Sequence, residues 1–143
     1  MKYTKVFIFL SCLLGNLSSA AEFNGTGLEF QQAPVFLPVD EAFKLSATEK
    51  NGEINLYWQI SPGYYLYRHN LKVENKDASQ FVQNQGLKKT DEYFGDVEVY
   101  YEELSIELSA SSLNQSKKGI LVEFQGCADA GICYPPKKTT IYP

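Results

Sequence analysis

Cys127 and Cys133 stand in the stretch Gln125-Gly126-Cys127-Ala128-Asp129-Ala130-Gly131-Ile132-Cys133-Tyr134-Pro135-Pro136, the part of the chain densest in reactive and turn-forming residues. Two thiols this close can be tied in a structural bridge, exchange disulfides with other thiols, or help to hold a metal. The metal reading is weak, because two thiols and the single His69 fall short of a ligand set. The C-x5-C spacing is also not the C-x-x-C of redox motifs. Gly126, Asp129 and Gly131 favour a tight turn, and Pro135-Pro136 cannot donate ladder hydrogen bonds. The cysteines are therefore expected to flank a short turn at a strand end. Opposed antiparallel positions have Cα atoms ~4.5–5.5 Å apart, within the roughly 4.4–6.8 Å that a disulfide accepts. Closing so short a ring contributes about 2.4 kcal/mol in the loop-entropy picture. On spacing alone a structural bridge is the commoner use of such a pair. A bond that opens and closes is the alternative, since a domain of this length can bury a core without a staple.

The compartment follows from the start of the chain. Lys2 and Lys5 precede the apolar run Val6–Leu14, and small residues follow at Ser18, Ser19, Ala20 and Ala21. That order describes a secretory signal peptide over residues 1–20, with one domain over 21–143. The run is too short for a bilayer span, which needs about 20 residues. Acylation at Cys12 is the weaker alternative, because it would cut the apolar run short and Phe9-Leu10-Ser11 suits it poorly. Cys12 leaves with the signal, so Cys127 and Cys133 remain as a pair, and an oxidising compartment would bond them. Lys2 and Lys5 leave too, so the 13 basic residues become 11 against 17 acidic ones and the net charge becomes −6. With that charge and no basic stripe, nucleic acid is not expected as a partner. No later segment is apolar enough for a membrane span.

The elements that must position the cysteines read as strands, with no helix expected. Ile54, Leu56, Trp58 and Ile60 alternate with polar residues, the period of a half-buried strand, and Ser61-Pro62-Gly63 ends it as a turn. Tyr64–Val73 is a second extended run. Val97, Val99 and Tyr101 share one face of another strand, followed by the alternating sets Leu104, Ile106, Leu108 and Ile120, Val122, Phe124. Lys137–Tyr142 supplies a last strand, and Pro34–Leu45 an irregular leading one. Asn75–Lys89 is polar and expected to be a long loop. Strands buried on one face favour antiparallel pairing, so the expected fold class is all-β, an immunoglobulin-like antiparallel β-sandwich. Both cysteines come late, so they do not clamp the two sheets in the antibody manner. Two sequons, Asn24-Gly25-Thr26 and Asn114-Gln115-Ser116, are weak short matches.

At this point the residues resemble a known family. Gly126–Pro136, GCADAGICYPP, closely resembles the cysteine segment of the N-terminal periplasmic domain of thiol:disulfide interchange protein DsbD. Ser61-Pro62-Gly63-Tyr64-Tyr65-Leu66-Tyr67-Arg68, Asp91-Glu92-Tyr93-Phe94-Gly95 and Phe36–Phe43 are similar to further stretches of that domain. The resemblance favours the reversible bond over the structural one. It implies an exported protein-disulfide reductase module acting in the periplasm without a cofactor, within a full-length parent anchored in the inner membrane. Electrons would come from a thioredoxin-like reductase domain. They would pass to periplasmic thioredoxin-fold proteins, namely disulfide isomerases and cytochrome c maturation factors. By resemblance Cys133 forms the mixed disulfides and Cys127 resolves them. Asp91, Glu92, Tyr93, Phe94 and Gly95 would form a cap loop, with the Tyr93 ring as cover. Tyr65 and Tyr67 would line the site, and Phe36 would be a contact residue near it. Asp91 and Glu92 could relay a proton, or raise the thiol pKa and slow wasteful oxidation.

Two rival readings need no redox step. One is an exported β-sandwich binding module with a purely structural disulfide, gripping a partner by its aromatic edge Tyr64–Tyr67. The other is a structural assembly domain. A hydrolase is the least expected reading, because one histidine, His69, and no nucleophile elbow leave nothing to build a triad from.

Overall fold

The computed structural model describes residues 34–113 and 119–143. The signal peptide expected at 1–20, the first residues of the domain and both sequons lie outside these residues. A one-turn helix α1 (Val39–Ala42) leads into strands β1 (Phe43–Lys50), β2 (Glu53–Ile60) and β3 (Tyr64–Tyr67). Then come β4 (Lys72–Val73), β5 (Lys76–Asp77), β6 (Val82–Gln83), β7 (Leu87–Asp91), β8 (Gly95–Tyr100) and β9 (Glu103–Ser109). The series ends with β10 (Ile120–Phe124), β11 (Gly126–Ala128), β12 (Ile132–Cys133) and β13 (Lys137–Ile141).

All strand pairs are antiparallel. One sheet has the order β1-β2-β9-β6, and its alternating apolar residues face a core shared with the other layer. That second layer is built of two sheets, β13-β10-β4-β5 and β12-β11-β3-β8-β7. They join where β3 passes through a 3-10 turn (Arg68–Asn70) into β4, and where Gln125 separates β10 from β11. Asn70 Nδ2 donates to Gln125 Oε1 at 2.7 Å, so the two interruptions are tied side by side. The architecture is the expected immunoglobulin-like sandwich.

Ile54, Leu56, Trp58 and Ile60 from β2 meet Leu104, Ile106 and Leu108 from β9, and Leu66, Val73, Val122 and Phe124 from the facing layer. Trp58 and Phe43 both pack edge-on against Phe124. Each fully buried side chain of this size contributes about 1.5–3 kcal/mol relative to exposure. Removal of this apolar surface from water is what closes the two layers on each other.

Four expectations need correction. The leading segment is not an irregular strand from Pro34 to Leu45, and the fold is not free of helix. Asp40 and Glu41 in the first turn suit a helix start, and Phe43 then enters β1 after a single turn. The Tyr64–Val73 run is not one strand, because the 3-10 turn breaks it at Arg68–Asn70. The polar stretch 75–89 is not a plain loop but holds β5, a 3-10 turn (Ala78–Gln80), β6 and the start of β7. Asp77 caps that turn, its Oδ1 accepting from the Ser79 N–H at 2.8 Å. Short edge strands need no apolar alternation, which is why composition hid them.

Candidate functional site

The period of two that builds the sandwich also builds the site. In β3, Tyr64 and Leu66 face the main core, while Tyr65 and Tyr67 point to the other side of the layer. Val99 of β8 and Cys127 of β11 join them there in a second small cluster, with Val97, Tyr101 and Cys133 packed against it. Register aligns them, since Cys127 pairs with both Tyr65 and Cys133, and Tyr67 pairs with Val99.

Cys127 and Cys133 are disulfide-bonded across the β11–β12 hairpin, with Cα atoms 4.0 Å apart. The turn between them closes with the Gly131 N–H donating to the Ala128 carbonyl at 3.0 Å, and Gly131 supplies the positive φ of 99°. The Asp129 N–H donates to the Gly63 carbonyl at 2.8 Å, which ties the turn to the start of β3. Gly126 is needed for close approach rather than for the turn. A Cβ there would lie 2.4 Å from both the Tyr65 carbonyl oxygen and the Phe43 ring. Cys127 is wholly buried, whereas Cys133 is only half-buried on the edge strand of its sheet.

The turn joining β7 to β8 lies over this hairpin. Asp91 organises it. Its Oδ1 accepts the backbone N–H groups of Tyr93 (3.0 Å) and Phe94 (2.7 Å), and its Oδ2 accepts the hydroxyls of Tyr65 (3.1 Å) and Tyr67. Burial alone would push the Asp91 carboxyl up, but these donors outweigh it and hold the group below the usual carboxylate value. The Tyr67 phenol is raised above its ordinary value by burial and by its bonds to Asp91 and Tyr65, so it stays protonated. Its oxygen lies 3.1 Å from Cys127 Sγ and 3.7 Å from Cys133 Sγ. In the bonded pair neither sulfur has a hydrogen, and the Tyr67 proton is given to Asp91. Tyr93 reaches across and donates its hydroxyl to the Gly131 carbonyl at 3.2 Å. The Phe94 ring meets Tyr67 edge-on at 4.9 Å and His69 at 5.0 Å. Gly95, with φ of 72°, starts β8.

The structure thus brings together Cys127, Cys133, Tyr65, Tyr67, Asp91, Tyr93, Phe94 and Gly95. Glu92 is exposed in the turn, and none of the hydrogen bonds or ion pairs among the described residues involves it. Phe36 packs against the main core and not against the cluster that holds Cys127. His69 is exposed, yet its ring packs tilted against Tyr67 and edge-on against Phe94. Sequence reasoning missed Lys89, Asp129 and Tyr101, which meet beside the disulfide. Lys89 Nζ and the Tyr101 hydroxyl both donate to Asp129 Oδ1, at 3.0 and 2.8 Å. The Val97, Val99, Tyr101 alternation carries a signal for Tyr101 alone.

The family described as thiol:disulfide interchange protein DsbD, N-terminal, matches residues 33–143. The chain belongs to this family. A DsbD of Pseudomonas sp. is 40% identical over 134 residues, covering 92% of this chain and 22% of that protein. The Photorhabdus laumondii DsbD is 38% identical over 141 residues, with 96% and 24% covered. The chain therefore spans about a quarter of the length of these DsbD relatives. The solved reduced form of the Neisseria meningitidis DsbD N-terminal domain superposes with a TM-score of 0.59 at 29% identity, covering 73% of this chain and 86% of that one. The same domain in complex with the PilB N-terminal domain gives 0.59 at 30% identity, covering 76% and 88%.

Proposed function

We propose that the chain is a periplasmic thiol–disulfide exchange module, a protein-disulfide reductase domain that works by reversible opening of the Cys127–Cys133 bond. The observation that carries this reading is the asymmetry of the pair. Cys127 is wholly buried with Tyr67 Oη 3.1 Å from its sulfur, and Cys133 is half-buried on an open sheet edge. The reachable sulfur is the one suited to attack a partner, and the sheltered one to finish the reaction.

In the reduced form the Cys133 thiolate attacks one sulfur of a partner's disulfide. A Cys133–partner mixed disulfide forms, and the partner's other sulfur leaves and takes up a proton. Cys127 then loses its proton and attacks Cys133 Sγ. The mixed disulfide breaks, the internal one forms, and the second partner thiolate is released and protonated. Two electrons and two protons have passed to the partner. The chain Cys127 Sγ, Tyr67 Oη, Asp91 Oδ2 offers the Cys127 proton a route to a carboxylate at the turn. The β7–β8 turn acts as a cap, covering the pair until a partner displaces Tyr93.

The electron donor is a thioredoxin-like reductase domain, and the acceptors are thioredoxin-fold proteins of the disulfide isomerase and cytochrome c maturation kind. Support comes from the relative solved with the PilB N-terminal domain. The direct test incubates the reduced Cys127→Ser variant with an oxidised thioredoxin-fold domain. A mixed disulfide through Cys133 should accumulate when the partner keeps a single cysteine, supplied as its disulfide with a small thiol, because neither protein then holds a resolving thiol, and Cys133→Ser should trap none. Failure of Cys127→Ser to trap any partner would leave the disulfide structural and the module a binding domain.

A further inference from the structure

The turn inside the cysteine ring is held from outside by a contact that the exchange chemistry does not itself require. Lys89 lies on β7, two residues before Asp91, and Asp129 lies between the cysteines. Their side chains meet at 3.0 Å, with 28% and 43% of each side chain exposed. Tyr101, just beyond β8, donates to the same Asp129 oxygen at 2.8 Å. The Lys89 ammonium also sits 4.7 Å from the centre of the Tyr65 ring and 5.8 Å from that of Tyr101. Tyr65 in turn pairs with Cys127 and donates to Asp91. An exposed ion pair alone is weak, but here one cation is shared by a carboxylate and two aromatic faces, and one carboxylate oxygen by two donors.

We propose that Lys89, Asp129 and Tyr101 form a positioning clasp that holds the cysteine turn when the disulfide is open, and so sets the reduction potential of the Cys127–Cys133 pair. The inference rests on the reversible bond described above. The disulfide and the clasp order the same residues, Asp129–Gly131. Whichever forms first removes the ordering cost that the other would meet, so the two favour each other reciprocally. With the clasp in place, the opened thiols stay near bonding distance and the ring re-closes readily. Without it, the turn is freer in the dithiol form and the effective concentration of one thiol at the other falls. The disulfide is then easier to reduce. Among the described residues the polar contacts of both sulfurs are with Tyr67, so the three act on the turn rather than on the sulfurs by hydrogen bond.

The experiment equilibrates the domain with dithiothreitol buffers and measures the oxidised fraction by trapping free thiols. Lys89→Met and Asp129→Asn should each lower the effective concentration of the thiols by about three- to tenfold, tenfold being about 30 mV toward easier reduction. The double variant should fall by clearly less than the sum of the two single losses, since both remove the Lys89–Asp129 contact while each also touches one that the other leaves. Lys89→Arg, which keeps the cation, should stay within about twofold of the parent, a band narrower than tenfold or 30 mV. A merely structural role would lower the melting temperature of both redox forms equally and leave this equilibrium unmoved. Unchanged Lys89→Met and Asp129→Asn, additive losses in the double variant, or a Lys89→Arg value as low as Lys89→Met would each overturn the clasp. Dithiothreitol reaches a tightly held bond as well as a labile one, so the parent's own value judges the exchange reading separately.

Discussion

Replacing Tyr93 tests whether the β7–β8 turn is a cap, and the structure sets the size of the effect. The Tyr93 hydroxyl makes one exposed, neutral hydrogen bond, to the Gly131 carbonyl at 3.2 Å. Such a bond is worth about 0.5–1.5 kcal/mol net. At about 1.4 kcal/mol per factor of ten, Tyr93→Phe should raise the population of the uncovered form about two- to twelvefold. Tyr93→Ala also removes a side chain that is 51% exposed. Half of the ordinary burial gain of a large side chain adds about 1 kcal/mol. The alanine variant should therefore uncover the pair about ten- to sixtyfold more often. The assay mixes fully reduced protein with a small disulfide under pseudo-first-order conditions and follows loss of free thiol. The unfolded protein gives the ceiling rate. Rates ordered parent, Tyr93→Phe, Tyr93→Ala, with the last at least tenfold above the parent, are expected. An alanine variant that reacts within twofold of the parent would remove the cap from the account.

Gly126→Ala should destabilise the domain by about 3 kcal/mol, at the upper end of overpacking costs, because one of its clashes is with the backbone oxygen of Tyr65. Urea unfolding checks this, and a loss below about 1 kcal/mol would show that β11 can shift away from β3. The Asp91 carboxyl is held below its ordinary value, so its contribution is complete above the unfolded value near 3.9 and is lost as pH falls through the folded one. The stability gap between the parent and Asp91→Asn should accordingly stay constant from about pH 7 to 5 and shrink only below about pH 4. A gap that closes between pH 7 and 5 would mean that a different group carries the linkage.

How much of this was legible in the chain differs from element to element. The strands with strict alternation, β2, β9 and β10, are plain because each buries one face against the core. β1 is harder, since only Leu45 and Ala47 mark its inner face beyond Phe43. Asn51-Gly52, with φ of 55° and 80°, nevertheless closes the β1–β2 hairpin in the way that dipeptide favours. The short strands β4, β5 and β6 exist only because a neighbouring strand offers them partners, which no local pattern records. At the site, the pairing of Cys127 with Cys133 follows from turn residues at close spacing, and the shared face of Tyr65 and Tyr67 follows from alternation. The meeting of Lys89 with Asp129 spans 40 residues and depends on how two hairpins dock, so it left no trace in the spacing. Phe36 shows the reverse case, a residue that likeness points toward the site and that packs against the main core instead.

The central claim is that the Cys127–Cys133 bond opens and closes in use, and its reduction potential tests that most directly. The purified domain is equilibrated in thiol/disulfide buffers of graded potential, its free thiols are alkylated, and the two forms are separated by mass. A midpoint between about −200 and −270 mV, the range of thioredoxin-like proteins, is the expected result. A bond that stays closed well below about −300 mV would behave as a structural bridge and contradict the account.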